Sequence, residues 1–189
     1  LFFQPESTEQ RFLPEGPYPY HENELSWVSI QHGVGSAAGS LNVLDMQTKQ
    51  NRRFILPGRP GFAFPTDRSG EFVIGLERRV GLFNVNTNHW RPYTEEVDAG
   101  VTGTIINDGV AFDGGLIFGC KDLKFAEKKA GLYFWRARDR RLLTLRRDQI
   151  CSNGKEVVTL DGQLSLLDID SPTKTVVAYP FDVEAGTLG

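Results

Sequence analysis

The chain has 189 residues, of which 40% are hydrophobic and 24% are charged, and its formal net charge is −3. This small negative charge excludes an overall electrostatic attraction to nucleic acid or to an anionic membrane, and no apolar run approaches the roughly 20 residues that a transmembrane helix needs. Its two cysteines, Cys120 and Cys151, are too few for a disulfide framework and indicate a reducing compartment, so we expect a cytoplasmic protein.

In chain order, the predicted elements are short strands separated by turns rich in Gly, Pro, Asn and Asp. A loop is predicted first, at 11–19, because its three prolines lack backbone N–H donors. Strands with alternating polarity or apolar character are then predicted at 25–31, 40–45, 53–56, 62–64, 71–76 and 81–85. The segments 108–145 and 153–189 repeat the same order. No long amphipathic helix is predicted, so the fold class is all-β.

Four stretches repeat one pattern of turn, apolar strand, turn and alternating strand. They are 25–45, 70–86, 114–138 and 162–182. Their equivalent residues, Leu41, Leu82, Leu132 and Val177, are 41, 50 and 45 residues apart. A period of roughly 40 to 50 residues with paired strands is typical of β-propeller blades. We therefore predict a single β-propeller domain over residues 1–189, with about four blades and a functional pocket where their loops meet.

Two polar loops are predicted just before the first strands of the third and fourth blades. One carries Asn107 and Asp108 and the other carries Asn153, while Glu15 lies at the corresponding entry to the first blade. Carboxylates combined with neutral amide oxygens suit a hard cation such as Ca²⁺, Mg²⁺ or Mn²⁺. The sequences Asn-Asp-Gly and Ser-Asn-Gly are also ordinary turn sequences. Spacing alone therefore leaves a cation site and a purely structural role both open.

Three further motifs favour structural roles. The glycine-rich segment 33–39 precedes a predicted strand, whereas a phosphate-binding loop opens a helix. The sequence at 168–170 begins like a calcium loop, but Thr173 and Tyr179 occupy the positions of its required Gly and Glu. The segment 136–147 contains six arginines, which can bind phosphates. The leucines between them instead indicate a β-hairpin whose turns are solvated. Nucleic acid is accordingly not expected as a partner.

Together these residues resemble the gluconolactonase/regucalcin family of six-bladed β-propellers. The matching phrases are PEGP (14–17), NELSWVSI (23–30), INDGVAFDGGLIFG (106–119), CSNG (151–154) and LLDIDSPTKTVVAYPFD (166–182). They occur in the family's order and at about the family's spacing. The resemblance implies a six-bladed ring of which about four blades are present. We therefore expect the propeller to be incomplete at its C-terminus, with the missing part in a longer chain or on another chain.

The resemblance also implies a site and an activity. The family's metal ligands fall on Glu15 and Asn153, which implies one divalent cation, Ca²⁺ first, with Zn²⁺ or Mn²⁺ as alternatives. Asn107 and Asp108 match positions that contact substrate or metal-bound water, so both are candidate substrate-binding residues and Asp108 is the candidate catalytic residue. The implied activity is hydrolysis of sugar-acid lactones, so the implied partner is a small lactone, with neither nucleic acid nor membrane.

Three differences from the family keep other functions open. Ile105 stands where the family often has an Arg, the strand after Asn153 reads KEVVTLD instead of being apolar, and the family's third ligand falls beyond Gly189. We expect an enzyme of the gluconolactonase type. The alternatives are a non-catalytic calcium-binding or interaction propeller, for which cation affinity without turnover would be evidence, and a phosphotriester hydrolase on the same scaffold.

Overall fold

Strands make up 58% of the protein and helix 2% in the computed structural model, which describes residues 1–189. Sixteen strands form four sheets of four, and in each sheet the strands lie in chain order with antiparallel pairing. This confirms the all-β prediction and the four propeller blades. The chain divides into two compact units, Leu1–Glu95 and Glu96–Gly189, each containing two blades. The assignment of 1–189 to one domain stays a prediction.

Unit 1 (Leu1–Glu95) contains the first two blades. The first is formed by β1 (Pro14–His21), β2 (Glu24–Ser29), β3 (Gly39–Asp45) and β4 (Asn51–Leu56). The second is formed by β5 (Pro60–Pro65), β6 (Glu71–Leu76), β7 (Arg79–Asn84) and β8 (His89–Pro92). Apolar side chains from both blades form one buried cluster, which includes Val28, Leu41, Phe72, Ile74 and Phe83. Burial of this shared surface is what holds the two sheets together.

Unit 2 (Glu96–Gly189) contains the third and fourth blades. The third is formed by β9 (Thr104–Phe112), β10 (Gly115–Asp122), β11 (Ala130–Arg136) and β12 (Arg141–Gln149). The fourth is formed by β13 (Ser152–Leu160), β14 (Gln163–Asp170), β15 (Thr175–Asp182) and β16 (Thr187–Leu188). A short 3₁₀ turn, Ser171–Thr173, links β14 to β15. No helix in the structure has the length and apolar character needed to cross a membrane.

The predicted repeats coincide with the two middle strands of each blade. The equivalent residues Leu41, Leu82, Leu132 and Val177 lie on β3, β7, β11 and β15, which is the third strand in every case. Successive side chains of a strand point to opposite faces of its sheet, and no bulge interrupts the pairing between the two middle strands of any blade. That alternation is the pattern by which the sequence predicted these strands.

The predicted loop at 11–19 is wrong, because Pro14–His21 form β1. This strand pairs only with β2 and lies at the end of its sheet. A strand with one neighbour leaves every second N–H without a ladder partner, and proline is tolerated at such positions. The three prolines therefore mark a sheet edge and do not prevent strand formation.

The arginine-rich segment 136–147 forms the β11–β12 hairpin, as predicted. Arg136 Nη2 lies 2.7 Å from Asp139 Oδ2, and Arg146 Nη2 lies 2.5 Å from Asp148 Oδ2. Each of these two guanidinium groups is thus paired with a carboxylate close in sequence. Local pairing therefore accounts for two of the six arginines of this segment.

The loop between β10 and β11 is organised by the buried carboxylate of Asp122. Its oxygens accept hydrogen bonds from the backbone N–H groups of Lys124 at 3.2 Å, and of Ala126 and Glu127 at 3.0 Å. The ammonium of Lys129 lies 3.2 Å from its Oδ1. These donors, led by the Ala126 N–H, favour the charged form and hold the pKa of Asp122 well below its usual range.

A lowered pKa at Asp122 predicts a specific loss of stability in acid. The stabilisation is fully present above the carboxyl's unfolded-state pKa of about 4, and it is lost as the pH falls towards the lower folded-state value. We expect the Tm of the wild type to fall more steeply between about pH 5 and pH 2.5 than that of Asp122→Asn. Circular dichroism melting at several pH values measures this. The exposed Asp161→Asn should follow the wild type, and equal slopes for Asp122→Asn would contradict the prediction.

Candidate functional site

The first strand of every blade contains a β-bulge. The extra residue is Gly61 in β5, Asn107 in β9 and Gly154 in β13, and in β1 the irregularity falls at Gly16 and Pro17. The separation is 45 residues from Gly16 to Gly61, 46 from Gly61 to Asn107 and 47 from Asn107 to Gly154. A bulge bends its strand and re-aims the neighbouring side chains, and bulges are common beside active sites. The candidate residues therefore occupy equivalent points on three first strands.

The two polar segments predicted as loops before these first strands, 104–109 and 150–154, are instead strand over 104–109 and from Ser152 onwards. Thr104–Phe112 form β9 and β13 begins at Ser152, so Asn107, Asp108 and Asn153 are strand residues. The turn-forming sequences are explained by the bulges, since Gly154 has a φ of +46°, a conformation that glycine adopts without strain. The predicted equivalence of the two segments is correct, although both are bulged strands instead of loops.

Unit 2 brings three of the predicted residues together where β9 lies against β13. Asn107 is buried, and its Nδ2 donates a hydrogen bond of 3.0 Å to the backbone oxygen of Ser152, which directly precedes Asn153. Asn153 Nδ2 donates to Ser171 Oγ at 3.3 Å, and its Oδ1 accepts from the Gly154 N–H at 3.0 Å. Both amides are thus oriented by hydrogen bonds.

Asp108 belongs to a polar cluster that sequence reasoning missed. Its side chain is 23% exposed, and its Oδ2 lies 3.6 Å from Lys155 Nζ. The same ammonium lies 3.6 Å from Oδ1 of the buried Asp168, which also accepts a 3.0 Å hydrogen bond from Ser152 Oγ. Burial raises the pKa of Asp168, and the nearby charge of Lys155 and the Ser152 hydroxyl oppose that rise. The cluster, defined here as Asp108, Lys155, Asp168 and Ser152, connects both blades of unit 2.

One signal for this cluster was present in the sequence. Lys155 interrupts a strand whose next residues include Val157 and Val158. A lysine in a strand is usually placed on the solvent face, but the bulge at Gly154 shifts the alternation by one residue. The face that Lys155 occupies could therefore be known only from the structure.

Glu15 lies in unit 1, on β1 and directly before its bulge. Its half-buried side chain borders a cavity of about 340 Å³ whose other walls are mostly apolar and include Leu25 and Trp27. Asn107, Asp108 and Asn153 lie in unit 2. The assignment of Glu15 and Asn153 to one cation therefore rests on the sequence resemblance.

The donor chemistry of the predicted ligands fits a hard cation. Glu15 offers a carboxylate, and Asn153 Oδ1 keeps a second lone pair besides the one used by the Gly154 N–H. Such oxygen ligands suit Ca²⁺, whereas Zn²⁺ prefers nitrogen and sulfur. No group of three or more His, Cys, Asp or Glu side chains in the structure is arranged to hold a metal ion. Amide oxygens and water would therefore have to complete the coordination.

Comparison with known proteins connects this geometry to a family. The family model described as the SMP-30/Gluconolactonase/LRE-like region matches residues 13–189. A search of curated protein sequences found no significant match.

Solved structures share the fold at low sequence identity. A luciferin-regenerating enzyme is 20% identical with a TM-score of 0.76, and the match covers 94% of this chain and 58% of that one. Regucalcin from Agrobacterium tumefaciens, a calcium-binding protein, is 18% identical with a TM-score of 0.75 and coverages of 94% and 57%. An oligogalacturonate lyase in complex with manganese is 11% identical with a TM-score of 0.51 and coverages of 88% and 49%. The chain thus spans less than two thirds of the length of each.

Proposed function

Since the chain belongs to the SMP-30/gluconolactonase/LRE-like family, we propose that it is a cation-dependent hydrolase that opens sugar-acid lactones. The observation that carries this proposal is the position of Asp108 beside Asn107 and close to Asn153, at equivalent bulges of β9 and β13. A partly exposed carboxylate next to two oriented amides provides an acid–base group and hydrogen-bonding groups for a polyhydroxy substrate.

Each residue has a separate role in the proposed reaction. Glu15 and Asn153 hold the cation through a carboxylate and an amide oxygen, and Ca²⁺ is the proposed ion because these donors are oxygens. When bound, such a cation polarises the lactone carbonyl and stabilises the negative charge that develops on its oxygen. Asp108 takes a proton from the water whose oxygen attacks the lactone carbonyl carbon, and returns it to the ring oxygen as the bond between that oxygen and the carbonyl carbon breaks. Asn107, whose Nδ2 is held by Ser152, presents its Oδ1 to a substrate hydroxyl.

The partial exposure of Asp108 supports its role as the base. Its side chain is 23% exposed, so a water molecule can reach its carboxylate. Asp168, the other carboxylate of the cluster, is buried, and its Oδ1 already contacts Ser152 Oγ and Lys155 Nζ. A general base must lie within hydrogen-bond reach of the water that it deprotonates. Of the two carboxylates, only that of Asp108 is exposed enough for water to reach it.

The ligand assignment predicts weaker cation binding in two variants. We expect Glu15→Gln and Asn153→Ala each to lower Ca²⁺ affinity at least several-fold, because each removes one of the few protein donors. Calorimetric titration of Ca²⁺, Mn²⁺ and Zn²⁺ into metal-free protein measures this. Glu22→Gln, an exposed change at the far end of the β1–β2 hairpin, is the matched control. Unchanged affinity in both site variants would show that the ligands are elsewhere.

Turnover on a substrate panel separates the candidate functions. Gluconolactone and related lactones are assayed with a pH indicator, with and without the cation, beside a phosphotriester. Cation-dependent acid release from lactones is the expected result. Phosphotriester hydrolysis alone would identify the protein as a phosphotriester hydrolase on the same scaffold. Cation binding without any turnover would identify it as a non-catalytic propeller.

A further inference from the structure

We propose that Lys155 is a positioning residue of this site, which fixes the Asp108 carboxylate from the buried side and keeps it from becoming a cation ligand. The inference deepens the proposed function and rests on it for the role of Asp108. The geometry that carries it is a single ammonium placed between two carboxylates, at 3.6 Å from Asp108 Oδ2 and 3.6 Å from Asp168 Oδ1.

Lys155 is held mainly by the charges of two carboxylates, at distances just beyond those of a normal hydrogen bond. Its side chain is 0% exposed, and its Nζ has no hydrogen-bond partner although an ammonium has three N–H donors. An ammonium buried without partners is strongly unfavourable, so this arrangement depends on the two neighbouring carboxylates. The buried Lys155 side chain differs in this respect from that of an ordinary surface lysine, whose ammonium stays in water.

The backbone register creates the arrangement. The bulge at Gly154 brings Lys155 directly opposite Asp168 on β14. Ser152 Oγ fixes the Asp168 carboxylate at 3.0 Å, and the Ser152 backbone oxygen accepts the Asn107 hydrogen bond. Ser152 therefore connects Asp168, the partner of Lys155, to β9, the strand that carries Asp108.

The two carboxylates have different surroundings and hence different roles. Asp168 is 2% exposed and serves as the anchor, whereas Asp108 is 23% exposed and accessible to solvent. A fixed positive charge 3.6 Å from Asp108 opposes the approach of a divalent cation to the same carboxylate. Because of Lys155, Asp108 contacts water and substrate, whereas the cation binds to Glu15 and Asn153.

Removal of the Lys155 charge should change catalysis and cation binding in opposite directions. We expect Lys155→Met to lower kcat for lactone about 10- to 100-fold with little change in KM, because a misplaced catalytic group costs that much. Lys155→Arg should recover part of kcat. Lys155→Met should also raise Ca²⁺ affinity, and adding Asp108→Asn should abolish the rise. Lys124→Met, an exposed change in the β10–β11 loop, is the control that leaves both unchanged.

A second variant separates positioning from folding, since Lys155→Met leaves Asp168 as a buried charge without its cation. The double variant Lys155→Met/Asp168→Asn removes both charges and should fold, with a Tm closer to the wild type than that of Lys155→Met. A kcat that stays low in the folded double variant supports the positioning role. A wild-type kcat and wild-type Ca²⁺ affinity in either variant would overturn it.

Failure of the proposed function can be told apart from failure of this inference. If the wild type hydrolyses no lactone, the Ca²⁺ affinity of Lys155→Met with and without Asp108→Asn still tests the inference. If it also binds no cation, the Tm values of the two single variants and of their combination test the ion pair itself. Non-additive Tm changes support a direct Lys155–Asp108 interaction, and additive changes overturn it.

Discussion

Asp108→Asn is expected to lower kcat for lactone hydrolysis by roughly 10²- to 10⁴-fold, the range typical of losing a general base. Asparagine has the same shape but cannot accept the proton from water. The fold should survive the change, because the Asp108 side chain is 23% exposed and Lys155 keeps Asp168 as its partner. Initial rates at saturating lactone, followed with a pH indicator, measure kcat directly.

The matched control is Asp113→Asn in the turn of the same β9–β10 hairpin. Asp113 is exposed, and asparagine is well tolerated in turns, so this variant should keep the wild-type kcat. A wild-type kcat in Asp108→Asn would show that another group takes the proton. An equal loss in both variants would point to disturbance of the hairpin, which a melting curve of each variant would reveal.

The fold was predictable where strands have neighbours on both sides. β6 (Glu71–Leu76) agrees with its predicted bounds, and β3 (Gly39–Asp45) agrees within one residue. The first strands were harder, because a strand with one neighbour tolerates residues that otherwise signal loops. Prolines concealed β1 (Pro14–His21), and the sequence Asn-Asp-Gly concealed most of β9 (Thr104–Phe112).

The candidate site was predictable in its residue types but not in its interactions. The resemblance singled out Asn107, Asp108 and Asn153, and unit 2 brings these three together at the contact of β9 with β13. Lys155 and Asp168 were missed as a pair, because they meet only through a strand register that the Gly154 bulge offsets. Sequence periodicity assigns faces only along uninterrupted strands, so partners across a bulge escape it.

Phe134→Ala is expected to lower the free energy of unfolding by about 3–5 kcal/mol, the usual cost of truncating a fully buried phenylalanine. Phe134 is 0% exposed on β11, and its ring centroid lies 5.8 Å from that of Phe112 on β9 and 5.2 Å from that of Phe181 on β15. Its ring therefore packs against both blades of unit 2. Because domains are stable by only about 5–15 kcal/mol, we expect a large fall in the denaturation midpoint, measured by urea unfolding.

Phe125→Ala supplies the matched control, because it removes the same atoms from a side chain that is 53% exposed on the β10–β11 loop. Its expected cost is within about 0.5 kcal/mol. Phe134→Leu should fall between the two, since leucine refills part of the cavity. A small effect of Phe134→Ala, comparable to that of Phe125→Ala, would mean that the packing of this ring against Phe112 and Phe181 contributes little to stability. In that case the contact of β9 with β13, where Asn107 Nδ2 donates to the Ser152 backbone oxygen, would depend little on this aromatic packing.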